Sequence, residues 1–192
     1  MAAIETVSIP LGFPAPDFKL LDTISGEYKT LEDFKSDKAT LVMFICNHCP
    51  YVKWIMDELV SLGNDYLPKG VKIVAISSND ADNYPQDGPD KMKELAASIN
   101  MPYPYLYDET QEVAKAYFAA CTPDFSIFDK DLKCVYRGQL DDSRPNRNAP
   151  TGKDIRTVLD AILAGQAVPE KQIPSIGCNI KWKSGETTVE YK

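Results

Sequence analysis

The sequence predicts an α/β fold: a central mixed β-sheet with helices on both faces, an N-terminal β-hairpin extension and an extended C-terminal tail. Three observations predict it. Two short apolar runs, TLVMFIC (residues 40–46) and KIVAIS (72–77), read as strands covered on both faces. Apolar residues at helical spacing follow each of them, and after the hairpin the order of elements is β-α-β-α-β-α-β-β-α, an alternation that builds layered α/β domains.

Each element has a local reason. Residues 17–30 form the hairpin, DFKLLD and GEYKT turning at Ser25-Gly26. After the first run, Pro50 suits the first helical position, where its missing N–H costs nothing, and Val52, Ile55, Met56, Leu59 and Val60 share one face. Pro89 opens a second helix with Met92, Leu95, Ala96 and Ile99 as its stripe. Residues 105–107 read as a short strand, and the tyrosines at 103, 105 and 107 as one exposed face of it. Asp108 and Gln111 have capping-box spacing ahead of Val113, Ala114 and Tyr117. Residues 125–128 and 134–136 form an antiparallel pair turning at Lys130-Asp131. Thr151 caps a last helix carrying Ile155, Val158, Leu159, Ile162 and Leu163 on one face, and Gly165 ends it. No repeat or linker divides the chain, so residues 1–192 read as one domain, with 166–192 a Pro-containing tail without regular structure.

Composition excludes several function classes. With 21 Lys+Arg against 28 Asp+Glu the net charge is −7, and no basic patch offsets it, which argues against nucleic-acid and anionic-membrane binding. The longest apolar runs fall far short of the ~20 residues of a membrane span. Residues 1–10, MAAIETVSIP, have neither a basic region nor a long apolar stretch, so a cytoplasmic protein is expected. A chain of this size buries roughly 70% of its unfolded surface and needs neither metal nor disulfide to fold.

The five cysteines, Cys46, Cys49, Cys121, Cys134 and Cys178, are odd in number and irregularly spaced, unlike a secreted disulfide framework. Two of them form Cys46-Asn47-His48-Cys49, around the chain's single histidine. A strand that delivers a cysteine to a helix N-terminus places it where free N–H groups and the helix dipole favour thiolate over thiol. With Pro50 first in the helix, Cys49 is the N-cap and the attacking thiolate. Cys46, at the strand end, is the resolving thiol, and a protonated His48 would further favour the thiolate. Cys46, His48 and Cys49 also make three metal donors, but no second ligand pair completes a site, and no metal is expected. Cys121 is expected near the active loop, where packing explains it equally well, and Cys134 in the core. Cys178, in the tail, is the candidate for a third redox thiol or a disulfide anchor. The run Asp141-Asp142-Ser143-Arg144 reads as a charged turn with an internal ion pair, with substrate positioning as its alternative.

These segments resemble the thioredoxin-like superfamily, in particular the CxxC proteins of the alkyl-hydroperoxide-reductase/thiol-specific-antioxidant type, peroxiredoxin-like and TlpA-like. The resemblance runs through APDFKLLD (15–22), VMFICNHCPY (42–51), VAISSND (74–80), CTPDFSIFD (121–129), GQLDDSRP (138–145) and SIGCNIKW (175–182), nearly the whole chain. It implies a thioredoxin-like fold and a cis bond at Thr122-Pro123, with this pair docking the substrate backbone beside Cys49. It implies no bound cofactor; the partners are a protein or small-molecule disulfide and a reducing dithiol.

The sequence also departs from the resemblance. His48-Cys49-Pro50 falls where the superfamily has Trp-Cys-Pro, and the second thioredoxin cysteine falls at Val52, so this CxxC lies one turn upstream. Against the peroxiredoxin Pro-x-x-x-Thr-x-x-Cys, Cys49 matches the peroxidatic cysteine, but Val42 and Cys46 replace the proline and threonine, and the arginine before Phe125 is missing. The first expectation is therefore a thiol-disulfide oxidoreductase cycling a Cys46–Cys49 disulfide. A thiol peroxidase using Cys49, and a redox-inactive adaptor or thiol-based sensor, are the alternatives.

Overall fold

The computed structural model describes residues 3–183. Its elements are β1 (Ala3–Glu5), β2 (Lys19–Asp22), β3 (Tyr28–Thr30), β4 (Thr40–Phe44), α1 (Pro50–Tyr66), β5 (Lys72–Ser77), α2 (Pro89–Ser98), β6 (Tyr105–Tyr107), α3 (Glu112–Ala116), β7 (Cys121–Thr122), β8 (Asp124–Phe128), β9 (Cys134–Gly138), α4 (Lys153–Leu163) and β10 (Ile176–Asn179). The main sheet has the order β3-β2-β6-β5-β4-β8-β9, with β4, β5 and β6 parallel and the outer pairings antiparallel. It is mixed, as expected. A second sheet, β1-β10-β7, is antiparallel.

Strand alternation divides the core in two. Leu41 and Met43 of β4 face α1 and α4, against Val52, Ile55, Leu59, Ile155 and Val158. Val42 and Phe44 face the other way, against Phe18, Phe34, Val113 and Tyr117. With both faces covered, every residue of β4 is buried, which is why the run reads as uninterrupted apolar. Each such side chain contributes about 1.5–3 kcal/mol by leaving water.

Four expectations are corrected. Tyr105 is buried rather than exposed, because β6 lies inside the sheet between β2 and β5; Tyr103, ahead of β6, is buried against Gly63 of α1, and only Tyr107 is partly exposed. The capping box at Asp108 and Gln111 does not form. Asp108 does accept the Ala114 N–H (2.9 Å), but Gln111 is itself the N-cap and spends its amide on the Ser78 and Lys181 carbonyls (2.6 and 2.9 Å). Gly152, not Thr151, is the N-cap of α4, at φ +65°, and the Asp141 carboxylate takes the N–H groups of both Thr151 and Gly152. The predicted tail is the largest difference: β10 inserts between β1 and β7, paired residue by residue with both. Residues 184–192 of that tail lie outside the described residues.

Candidate redox site

Strand β4 ends at Phe44, and the chain turns through Cys46-Asn47-His48 into α1. Cys49 is the N-cap of α1 in extended conformation (φ −63°, ψ 124°), with Pro50 next, and its carbonyl accepts the first helical bond from the Lys53 N–H (2.9 Å). Both sulfurs are buried.

Thr122 bridges the pair. Its Oγ1 lies 3.4 Å from Cys46 Sγ, and its carbonyl lies 3.2 Å from Cys49 Sγ, where it accepts from the thiol when Cys49 is protonated. The Thr122-Pro123 bond is cis. Thr122 thus stands against both cysteines, with Pro123 next to it in the chain. The edge of Thr122 is filled, however, because β10 pairs along it, with Cys178 opposite Thr122. Gly177 makes this approach feasible: a Cβ there would lie 2.0 Å from the Thr122 carbonyl oxygen and 3.0 Å from Pro123 Cδ. Cys178 is thereby brought to 2.8 Å from Cys49 Sγ, and it too is buried.

Three thiols in contact share protons unequally. The S–H of Cys46 donates to Cys49, as does that of Cys178, and the Val52 and Cys178 backbone N–H groups add two more donors. Together they outweigh burial and hold the Cys49 thiol down at about 5. Cys46 moves the other way, well above the usual thiol range, because it donates to Cys49, is buried, and faces the Asp87 charge. Burial and the same donation push Cys178 up to about 12, although the Tyr51 N–H and the charge of Lys181 favour its thiolate. When Cys49 ionises, its bond to the Thr122 carbonyl is lost and the four donors remain. One thiolate flanked by two thiols is an arrangement for disulfide exchange.

Asp87 was not singled out from the sequence. Its fully buried carboxylate accepts the backbone N–H groups of Asn47 (2.8 Å) and His48 (3.2 Å), pairs with His48 Nδ1, and accepts from Asn79 Nδ2 (2.8 Å). It holds the Cys46–Cys49 turn from outside. One of three aspartates in the polar segment SNDADNYPQDGP, it carries no local signal of that role. His48 is therefore fixed by Asp87, with its ring stacked on Tyr84 at 5.4 Å between centroids. Cys46, His48 and Asp87 bring donor atoms within 4.8 Å of one another, one ligand short of a closed tetrahedral zinc site.

The other candidates lie apart from the exchange. Cys121 is buried against Thr6 Oγ1 (3.6 Å), and burial drives its thiol far up; Cys134 is in the core, pushed up to about 11 by the same cause. The internal ion pair expected in the turn at residues 141–144 is not made. Arg144 donates to the carbonyls of Asp141 and Ser143 and to Gln139 Oε1, while the Asp141 carboxylate takes backbone N–H groups. Arg144 does lie beside the site, lining a depression with Tyr51, Trp54, Pro123, Gln139 and Ile176.

Comparisons with known proteins agree with this architecture. An uncharacterized conserved protein from Geobacillus kaustophilus is 64% identical, with a TM-score of 0.95 over 97% of this chain and 99% of that one. A hypothetical protein from Sinorhizobium meliloti 1021 is 46% identical, with a TM-score of 0.91 over 94% and 99%. The thioredoxin domain of a thiol-disulfide oxidoreductase from Bacteroides vulgatus shares the fold at 22% identity, with a TM-score of 0.57 over 68% and 89%. No curated protein matches the chain. Residues 11–137 match the AhpC/TSA family, a span that holds β2 to β8, both cysteines of the CxxC and the cis-proline, and the chain belongs to that family.

Proposed function

We propose that this protein is a thiol-disulfide oxidoreductase in which Cys49 is the attacking thiolate and Cys46 a resolving thiol. One observation carries the reading: the Cys49 sulfur, at the head of α1, collects four donors and is held at about 5, so it is ionised at neutral pH while its neighbours stay protonated. In the reductive direction, Cys49 attacks a substrate disulfide R–S–S–R and expels one thiolate. A second cysteine then attacks the Cys49 sulfur of the mixed disulfide, expels the other thiolate, and leaves an intramolecular disulfide for a dithiol partner to reduce. Thr122, in contact with both sulfurs, and the adjacent Pro123 would orient an incoming chain once their edge is free.

Peroxide chemistry is less well served. Cleaving an O–O bond quickly needs donors aimed at the leaving oxygen, and the arginine that the resemblance leads one to look for just before Phe125 is missing. The nearby Arg137 is committed to the Asp124 carboxylate (3.0 Å), Ser126 Oγ (2.8 Å) and the Phe118 carbonyl (2.9 Å). The reduced protein is expected to cleave insulin disulfides with a dithiol as electron source, and to react with hydrogen peroxide no faster than an ordinary accessible thiolate. Insulin turbidity and stopped-flow oxidation test the two halves. Rapid peroxide oxidation with no insulin reduction would replace this reading with the peroxidase one.

A further inference from the structure

Cys178 comes from the far end of the chain, 129 residues from Cys49, yet their sulfurs are 2.8 Å apart. A disulfide needs ~2.05 Å, so closure asks for a further approach of about 0.8 Å. Two ladders hold Cys178 in place: it lies opposite Ala3 of β1 on one side and Thr122 of β7 on the other. A thiol held at that position reacts as though at very high concentration, without the cost of a search. The head of α1 serves both sulfurs, since the Val52 N–H points to Cys49 and the Tyr51 N–H to Cys178. Cys46, by contrast, is shared with Thr122 Oγ1 at 3.4 Å.

The same strand closes the site. Cys46, Cys49 and Cys178 are 1%, 0% and 5% exposed, so no external sulfur reaches Cys49 with β10 in place. An incoming disulfide must displace β10 from the Thr122 edge to reach Cys49, and its sulfur is then held on the face of Cys49 opposite the one to which Cys178 returns. Return of β10 brings Cys178 back against Cys49.

Resting on the oxidoreductase reading, we infer that Cys178 is the principal resolving thiol and that β10 is a built-in substitute for substrate, leaving the site to admit a disulfide and returning to expel it. In the resolving step, the Cys178 thiolate attacks Cys49 Sγ in the mixed disulfide Cys49–S–S–R. The Cys49–Cys178 bond forms, the bond to the substrate sulfur breaks, and RS⁻ takes up the proton that Cys178 released. Over the full cycle the two protein thiols lose two electrons, and the substrate disulfide becomes two thiols.

If Cys46 were the sole resolving thiol, Cys46→Ser would hold the substrate on Cys49; with Cys178 resolving, it releases it. The full-length chain is treated with 5,5′-dithiobis(2-nitrobenzoate), and adducts are assigned by non-reducing peptide mass mapping in Cys46→Ser, Cys178→Ser and the double variant. The double variant is expected to keep thionitrobenzoate on Cys49. Cys46→Ser should discharge it at least about tenfold faster, ending with Cys49 joined to Cys178, while Cys178→Ser should discharge it slowly. Cys178→Ala repeats the comparison without a hydroxyl in the strand, and thermal melts confirm that each variant folds. If Cys46→Ser keeps its adduct as long as the double variant, Cys178 does not resolve and the inference fails, while the attacking role of Cys49 stands. If the folded double variant carries no adduct on Cys49, the oxidoreductase reading fails, and the inference with it.

Discussion

Cys49→Ser is expected to abolish disulfide reduction, by about three orders of magnitude or more, because a serine hydroxyl at the head of α1 is not ionised and cannot attack sulfur. The matching change at Cys46 should cost far less, on the order of tenfold, since Cys178 still faces Cys49 from β10. The asymmetry separates attack from resolution: one residue begins every cycle, and two can finish it. Steady-state insulin reduction, with the fold checked by circular dichroism, measures both. Equal losses at 46 and 49 would mean that the pair acts only as a unit and that Cys178 is a bystander.

The second large effect concerns stability. Arg137 and Asp124 form an ion pair at 3.0 Å, with side chains 2% and 0% exposed, just behind Pro123. Removing one partner of such a pair leaves an uncompensated buried charge, so Arg137→Met is expected to cost about 3–5 kcal/mol. Asp124 is already pushed up to about 6 by burial, against the pull of Arg137. Its folded value therefore lies above the 3.8 of the free group, so between these values the native state binds a proton that the unfolded chain does not. Stability from this group rises as pH falls through that window. Without Arg137 the native value climbs further, and the deficit of the variant should be larger at pH 8 than at pH 5. Urea denaturation of both proteins at the two pH values tests this; a pH-independent deficit would mean that Asp124 remains ionised without its partner.

What was legible in the sequence was local. The apolar run of β4, the CxxC that follows it and Pro50 lie within a dozen or so residues, and together they place Cys49 at the head of a helix. The Thr122-Pro123 pair was legible only through resemblance, since a cis bond has no periodicity. What escaped was long-range. β10 is four residues with a glycine inside; no strand pattern marks it, and it is a strand because β1 and β7 flank it. Its register brings Cys178 to Cys49, and no spacing along the chain encodes that. Asp87 escaped for the same reason: its role exists only because the segment after β5 folds back over the Cys46–Cys49 turn. Tyr105 was misplaced because strand alternation alone cannot tell an edge strand from one inside a sheet. There its hydroxyl donates to Asn47 Oδ1 at 3.1 Å, another tie to the same turn.

Thiolate absorbance followed against pH in the reduced wild type, Cys46→Ser and Cys49→Ser shows whether Cys49 is the thiolate of this site. A transition with its midpoint at about 5 is predicted in the wild type, with an acidic transition retained in Cys46→Ser and absent from Cys49→Ser. Titration only near the ~8.5 of a free cysteine, or an acidic transition that survives in Cys49→Ser and disappears in Cys46→Ser, would mean that Cys49 is not the thiolate.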